Sequence, residues 1–254
     1  KAHFNQGVIH YQLNDYEKAI EAFRLAIVND PGFVEAEISL GCVYEDMGQD
    51  SEAINRYQRA IALNPHNAEA YFNIAILQQK LGQQKKAEAS YRQAITQKPD
   101  FVEAHNNLAG TLKEVGRLEE AGVHYRKVIM LKPEKFEAYN DLLFCLATQK
   151  KFEEAKQLVS LAITSNMPAE KLAQMSVNLL AVGMHTEAEQ VAQACIESSS
   201  NANAECLYLA YRTLALLMRN RCDNEKAVNY FLTAWRLNPS DLLTKQLFAQ
   251  SLSD

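Results

Sequence analysis

The sequence predicts an all-α fold: a right-handed superhelical solenoid of about seven helical hairpins, closed by one further helix. Three observations carry this. Almost half of the 254 residues are apolar, with only nine glycines and six prolines, a composition that favours helix. Several columns recur every 34 residues: Pro31, Pro65, Pro99 and Pro133; Ala19, Ala53, Ala87, Ala121 and Ala155; Phe23, Tyr57, Tyr91 and Tyr125. Each column also has a mechanical task within a hairpin, so the period describes a structural unit.

The first helix of a unit ends at a turn glycine, as at Gly48, Gly82 and Gly116. The second carries two small residues seven apart, such as Ala87 and Ala94, on one face, where a neighbouring helix approaches closely. Tyr91 lies between them to fill the gap to the next unit, and Pro99 stops the helix. The column Gly7, Gly41, Ala75 and Ala109 is small in the first helix. Glu35, Glu69, Glu103 and Glu137 fall in first turns, where the helix dipole is sufficient reason for an acid.

A single array, 1–254, is expected. Residues 1–134 hold four regular units. A fifth, 135–168, keeps Ala155 and Ala162 but has Lys150 at the turn and Val159 at the aromatic place. A sixth, 169–202, is degenerate: Gly183 and Ala188 remain, Ala192 replaces the aromatic, and no proline closes it. The stretch SSSNAN, 198–203, is the most loop-like in the chain. An extended seventh unit, 203–239, has a first helix from about Ala204 to Asn220 and recovers Ala227, Phe231, Ala234 and Pro239. Residues 240–254 form a capping helix, apolar at Leu243, Leu247 and Phe248, because a terminal repeat lacks a successor.

The Leu40-Gly41 and Leu108-Ala109 pairs, the aromatic at Tyr44, the alanine columns, the second-helix aromatic and the closing proline together resemble the tetratricopeptide repeat (TPR) family. The resemblance implies that the first helix of each hairpin lines a concave surface. It also implies a non-catalytic protein-interaction module that binds a peptide or a partner segment in that groove.

Three columns then bear on recognition. Asn5, Ser39, Asn73, Asn107 and Asp141 are all short and polar. Beside them run Phe4, Ile38, Phe72, Asn106 and Asn140, and then Val8, Cys42, Ile76, Gly110 and Phe144. On the helix through Asn107, the residues Leu108, Ala109, Leu112 and Val115 form the packing face, so both asparagines are expected toward the groove. A carboxamide donates and accepts at once, so such a ladder grips an extended backbone while the apolar column supplies pockets. It is partly similar to the asparagines in the TPR arm of O-linked N-acetylglucosamine transferases, where they hold substrate polypeptide; Ser39 and Asp141 depart from that pattern. The other reading is that these amides bond an adjacent repeat. A clamp for a chaperone's C-terminal carboxylate is absent, since its places hold Phe4, Val8 and Ser39. Lys80, Lys113 and Arg212 stand as isolated cations available to an acidic ligand.

The net charge of −5 argues against a nucleic-acid partner. No apolar run approaches the roughly 20 residues of a membrane span. Five scattered cysteines without CxxC spacing suit free thiols, each a small buried apolar residue, in a reducing, cytoplasmic compartment. The histidines are dispersed, and no metal or cofactor is expected. No P-loop, GxSxG or HExxH motif occurs, so an enzyme is not expected. The chain opens at Lys1 without a methionine, as a fragment or processed chain would. A second reading therefore makes it the substrate-recruiting arm of a larger enzyme such as a glycosyltransferase, and a third makes it a self-assembling scaffold.

Overall fold

The computed structural model describes residues 1–165, 167–198 and 203–252. Among them are fifteen helices and no strand, in two compact units, Lys1–Gly116 and Arg117–Asp254. The first unit contains α1 (Ala2–Gln12), α2 (Tyr16–Asn29), α3 (Val34–Asp46), α4 (Asp50–Leu63), α5 (Ala68–Lys80), α6 (Gln84–Gln97) and α7 (Val102–Glu114). The second contains α8 (Leu118–Leu131), α9 (Glu137–Thr148), α10 (Phe152–Thr164), α11 (Ala169–Ala181), α12 (His185–Glu197), α13 (Ala204–Asn220), α14 (Asn224–Leu237) and α15 (Leu242–Ser251). The long helix expected over Ala204–Asn220 is α13. Of the loop expected at 198–203, residues 199–202 lie outside the described residues, as do 253–254 of the capping segment.

Every first helix ends on a residue with left-handed backbone: Asn14, Gly48, Gly82, Gly116, Lys150, Gly183 and Cys222. The next N–H reaches back to close the turn, as in Gln83 N–H to the Gln78 carbonyl at 2.8 Å and Lys151 N–H to the Leu146 carbonyl at 2.9 Å. The second helices end differently. Before Pro31 and Pro99, Asp30 (φ −144°, ψ 91°) and Lys98 (φ −137°, ψ 90°) are extended, because a proline ring excludes helical backbone from its predecessor.

The alanine column is the centre of packing. Ala19, Ala53 and Ala87 in the first unit, and Ala121, Ala155, Ala188 and Ala227 in the second, are all fully buried. Phe23, Tyr57, Tyr91 and Phe231 are fully buried as well, and Tyr125 nearly so. A Cβ added at Gly41 would lie 2.5 Å from the Tyr57 ring, so that glycine is a point of close approach.

Three side chains depart from the sequence reading. Val115, expected in the packing face, is 51% exposed, because it follows the last turn of α7 and points away from the core formed by Leu108 and Leu112. Cys222 is exposed, unlike the buried Cys145, Cys195 and Cys206, because it occupies the turn position. On α15, Leu243 is 49% exposed while Thr244 is buried; Thr244 and Tyr208 both donate hydrogen bonds to Asp241. Phe248 meets the expectation, stacking on Trp235 with ring centroids 6.4 Å apart.

Candidate functional site

In the first unit, the residues nine before each left-handed turn are Asn5, Ser39, Asn73 and Asn107. Asn5 is exposed and the other three are half-buried. Asn107 does not stand open: its Nδ2 donates to the Tyr91 hydroxyl at 3.4 Å, and that hydroxyl donates to Gln79 Oε1 at 2.9 Å. Burial raises the Tyr91 pKa, and the Asn107 contact pulls it the other way. This amide therefore ties α7 to α6, as the alternative reading had it. Among the described residues, the side-chain amides of Asn5, Asn73 and Asn106 have no protein partner.

The apolar column closes a seam between hairpins. Phe4 lies against Phe23 and Phe33, with centroids 5.6 and 4.9 Å apart. Two repeats later, Phe72 lies against Tyr91 and Phe101, at 5.9 and 4.8 Å. Val8, Ile38 and Cys42 pack on the core of the unit, and Ile76 is half-buried. Phe33 and Phe101 were missed in the sequence; their spacing of 68, two repeats, was the available signal. Lys80 is not isolated, since its Nζ lies 2.8 Å from Asp50, and Lys113 is also engaged.

In the second unit the same columns line a groove of about 750 Å³, formed by α9, α11 and α13. Counting nine back from Lys150 and Gly183 gives Asp141 and Gln174, and both line it. Asn178 Nδ2 donates to Asn140 Oδ1 at 3.2 Å, and Gln174 Nε2 donates to Asn178 Oδ1 at 3.2 Å. This relay leaves Asn140 Nδ2 as a donor and Gln174 Oε1 as an acceptor, neither with a protein partner among the described residues. Lys171 Nζ lies 2.9 Å from Glu137 and 3.8 Å from Glu170. The hydrogen bond from Lys171 lowers the Glu137 pKa and raises its own. On the third side, Asn203 caps α13 by accepting the Cys206 N–H at 2.9 Å, beside Glu205 and Leu209.

Gln174, Asn178 and Lys171 lie 34 residues after Asn140, Phe144 and Glu137, so the period was the available signal, but the columns given above end at the fifth unit. A strict count of 34 from Asp141 lands on Met175, which is fully buried. Phe144, the remaining candidate, is 50% exposed on α9 and does not line this groove. A second cavity, of about 490 Å³, lies among α8, α9 and α10. It is walled by apolar side chains such as Ile129, Leu142 and Leu158, with the Arg126–Glu154 ion pair beside them. Among the described residues, no group of three or more His, Cys, Asp or Glu could hold a metal ion, and no helix is long and apolar enough to cross a membrane.

Hairpins of this geometry define an all-α helical-repeat protein. Tetratricopeptide repeat models match residues 1–33, 68–101 and 102–135, and a TPR repeat model matches 41–82. These matches together span half of the chain, and the chain belongs to the tetratricopeptide repeat family. No curated protein matches it. Among solved structures, it resembles the C-terminal part of a TPR repeat-containing protein from Cytophaga hutchinsonii (14% identity, TM-score 0.74, covering 96% of this chain and 98% of that one). It also resembles a tetratricopeptide repeat protein from Parabacteroides merdae (16%, 0.58, covering 99% and 98%). A third similar structure is YrrB, described as a TPR protein with an unusual peptide-binding site (18%, 0.55, covering 90% and 98%).

Proposed function

We propose that this chain is a non-catalytic interaction module that holds an extended polypeptide segment in the groove of α9, α11 and α13. The observation that carries the reading is the relay Gln174–Asn178–Asn140, whose two ends offer one acceptor and one donor to the groove. An extended backbone offers carbonyls and N–H groups in alternation, so amides held in place grip it without reading side chains. All three amides are tied to one another by the two hydrogen bonds of the relay, which reduces what binding must order. Membership of the family supports the interaction class, and YrrB shows that a chain of this fold carries a peptide site.

The test is to select binders from a random peptide display library and titrate the enriched peptides calorimetrically. The double variant Asn140→Ala and Gln174→Ala should bind about tenfold more weakly or worse, because each lost contact leaves a ligand group unsatisfied at roughly 1–3 kcal/mol. Its melting temperature should match the parent's. Equal affinity in parent and variant, or a library that yields no binder, would overturn the reading.

A further inference from the structure

We propose that the cavity between the start of α10 and the first turn of α12 binds a guanidinium on an aliphatic stem, the chemistry of an arginine side chain. Glu187 carries the argument. It lies in a cavity of about 560 Å³, lined also by Phe152, Glu153, Lys156, Val182 and Met184. Only 9% of the residue is exposed. Among the described residues, its carboxylate accepts no hydrogen bond and belongs to no ion pair. The preceding repeats show what is unusual here. Glu119 and Glu153, at intervals of 34, also stand in first turns, with side chains 78% and 83% exposed. Each meets a lysine, Lys151 at 2.7 Å and Lys156 at 2.8 Å. Glu187 is the same residue in the same turn, withdrawn from water and without such a partner.

The helix dipole is reason for an acid to occur in all three turns. It gives no reason to bury the third, because a carboxylate out of water calls for hydrogen bonds or an opposite charge. Lys156 feels the Glu187 charge, but its ammonium is bonded to Glu153 and lies beyond ion-pair distance of Glu187. The walls decide which cation fits. Phe152 and Val182 are partly exposed and Met184 is buried beside them, so an aliphatic stem finds apolar cover. A planar guanidinium presents two parallel N–H donors to a carboxylate and stacks on an aromatic face. An ammonium is a more strongly hydrated point charge and gains less from such walls. This cavity shares no residue with the groove of α9, α11 and α13, so it stands or falls separately from the peptide reading above.

The experiment titrates the full chain with Nα-acetyl-arginine methylamide, the matching citrulline and lysine derivatives, and free L-arginine. The amide NMR shifts of Gly183 and Thr186 report binding at this cavity. The arginine derivative should saturate them with a Kd on the order of 1 mM, roughly tenfold tighter than the neutral citrulline isostere, with lysine between. In Glu187→Gln that margin should vanish, while the melting temperature stays level or rises, because an unpaired buried charge is gone. If Glu187→Gln melts early, Phe152→Ala serves: it should weaken the arginine derivative several-fold, and unchanged affinity overturns the proposal. Free arginine binding tighter than the capped form assigns the site to the amino acid. The reverse assigns it to arginine within a polypeptide, and either outcome keeps the guanidinium site. Equal binding of the arginine and citrulline derivatives, an arginine preference that survives Glu187→Gln, or no saturation by any of the four overturns it.

Discussion

The two units are built from one hairpin, yet they use the same face of the first helix in opposite ways. In the first, Phe4 and Phe72 fold onto aromatic rings of their own hairpin and of the segment that follows, sealing the seam. In the second, the same column holds Asn140, which bonds Asn178 and leaves a groove open. The backbone scaffold is therefore indifferent to whether a seam is filled. One side chain per repeat, and the residue it meets from the next repeat, settles whether that face is core or binding surface. A polar side chain in that place cannot close the seam, because burying an amide without its partners costs more than exposing it.

The comparison breaks or holds at its two defining residues. Phe72→Ala should lower stability by about 2–3 kcal/mol, below the full range for a buried Phe because Phe72 is half-buried. Asn140→Ala should stay within about 0.5 kcal/mol of the parent. Denaturant melts give both numbers, and equal losses would mean the two faces do not differ in kind. The next effect tests close approach. Gly41→Ala should destabilise by about 1–2 kcal/mol, since its Cβ would meet the buried Tyr57 ring, whose hydroxyl is held by Glu45 at 2.9 Å. An unchanged melt would show that the ring can move aside, as the third repeat must allow for the buried Ala75.

A smaller effect of opposite sign concerns turns. Lys150 adopts φ of +59°, where its Cβ is strained, so Lys150→Gly should stabilise by about 1 kcal/mol. Asn14→Gly should gain less, because asparagine tolerates that backbone. Identical gains at the two turns would remove left-handed strain as the reason.

The smallest expected effect is local to the end of the second unit. Hydrogen bonds from Thr244 and Tyr208 hold the Asp241 carboxyl below its ordinary 3.8, so the ionised form is the one the folded state favours. Its contribution is present above pH 3.8 and is lost as pH falls through the lowered value. Trp235, the only tryptophan, stacks on Phe248 of α15 and reports the docking of that helix. Its fluorescence should hold steady from neutral pH down to about 4, then change in stronger acid. The same step in Asp241→Asn would assign it to another group.

The sequence alone determined the hairpins, because their causes are local. A proline restrains the residue before it, a turn residue closes hydrogen bonds within its own helix end, and alanines seven apart share one face. These acts need no knowledge of distant residues, so the fifteen helices and the alanine core could be read from spacing. The tertiary structure alone decided which half-exposed columns stay open. Phe4 is sealed by Phe33 and Phe72 by Phe101, Asn107 is tied to Tyr91, and Asn140 is met by Asn178, at separations from 16 to 38 residues. Gln174 and Asn178 follow Asn140 and Phe144 at the same interval of 34, yet a period along one chain does not say which side chains meet across helices, and only the structure joins Gln174, Asn178 and Asn140 in one groove.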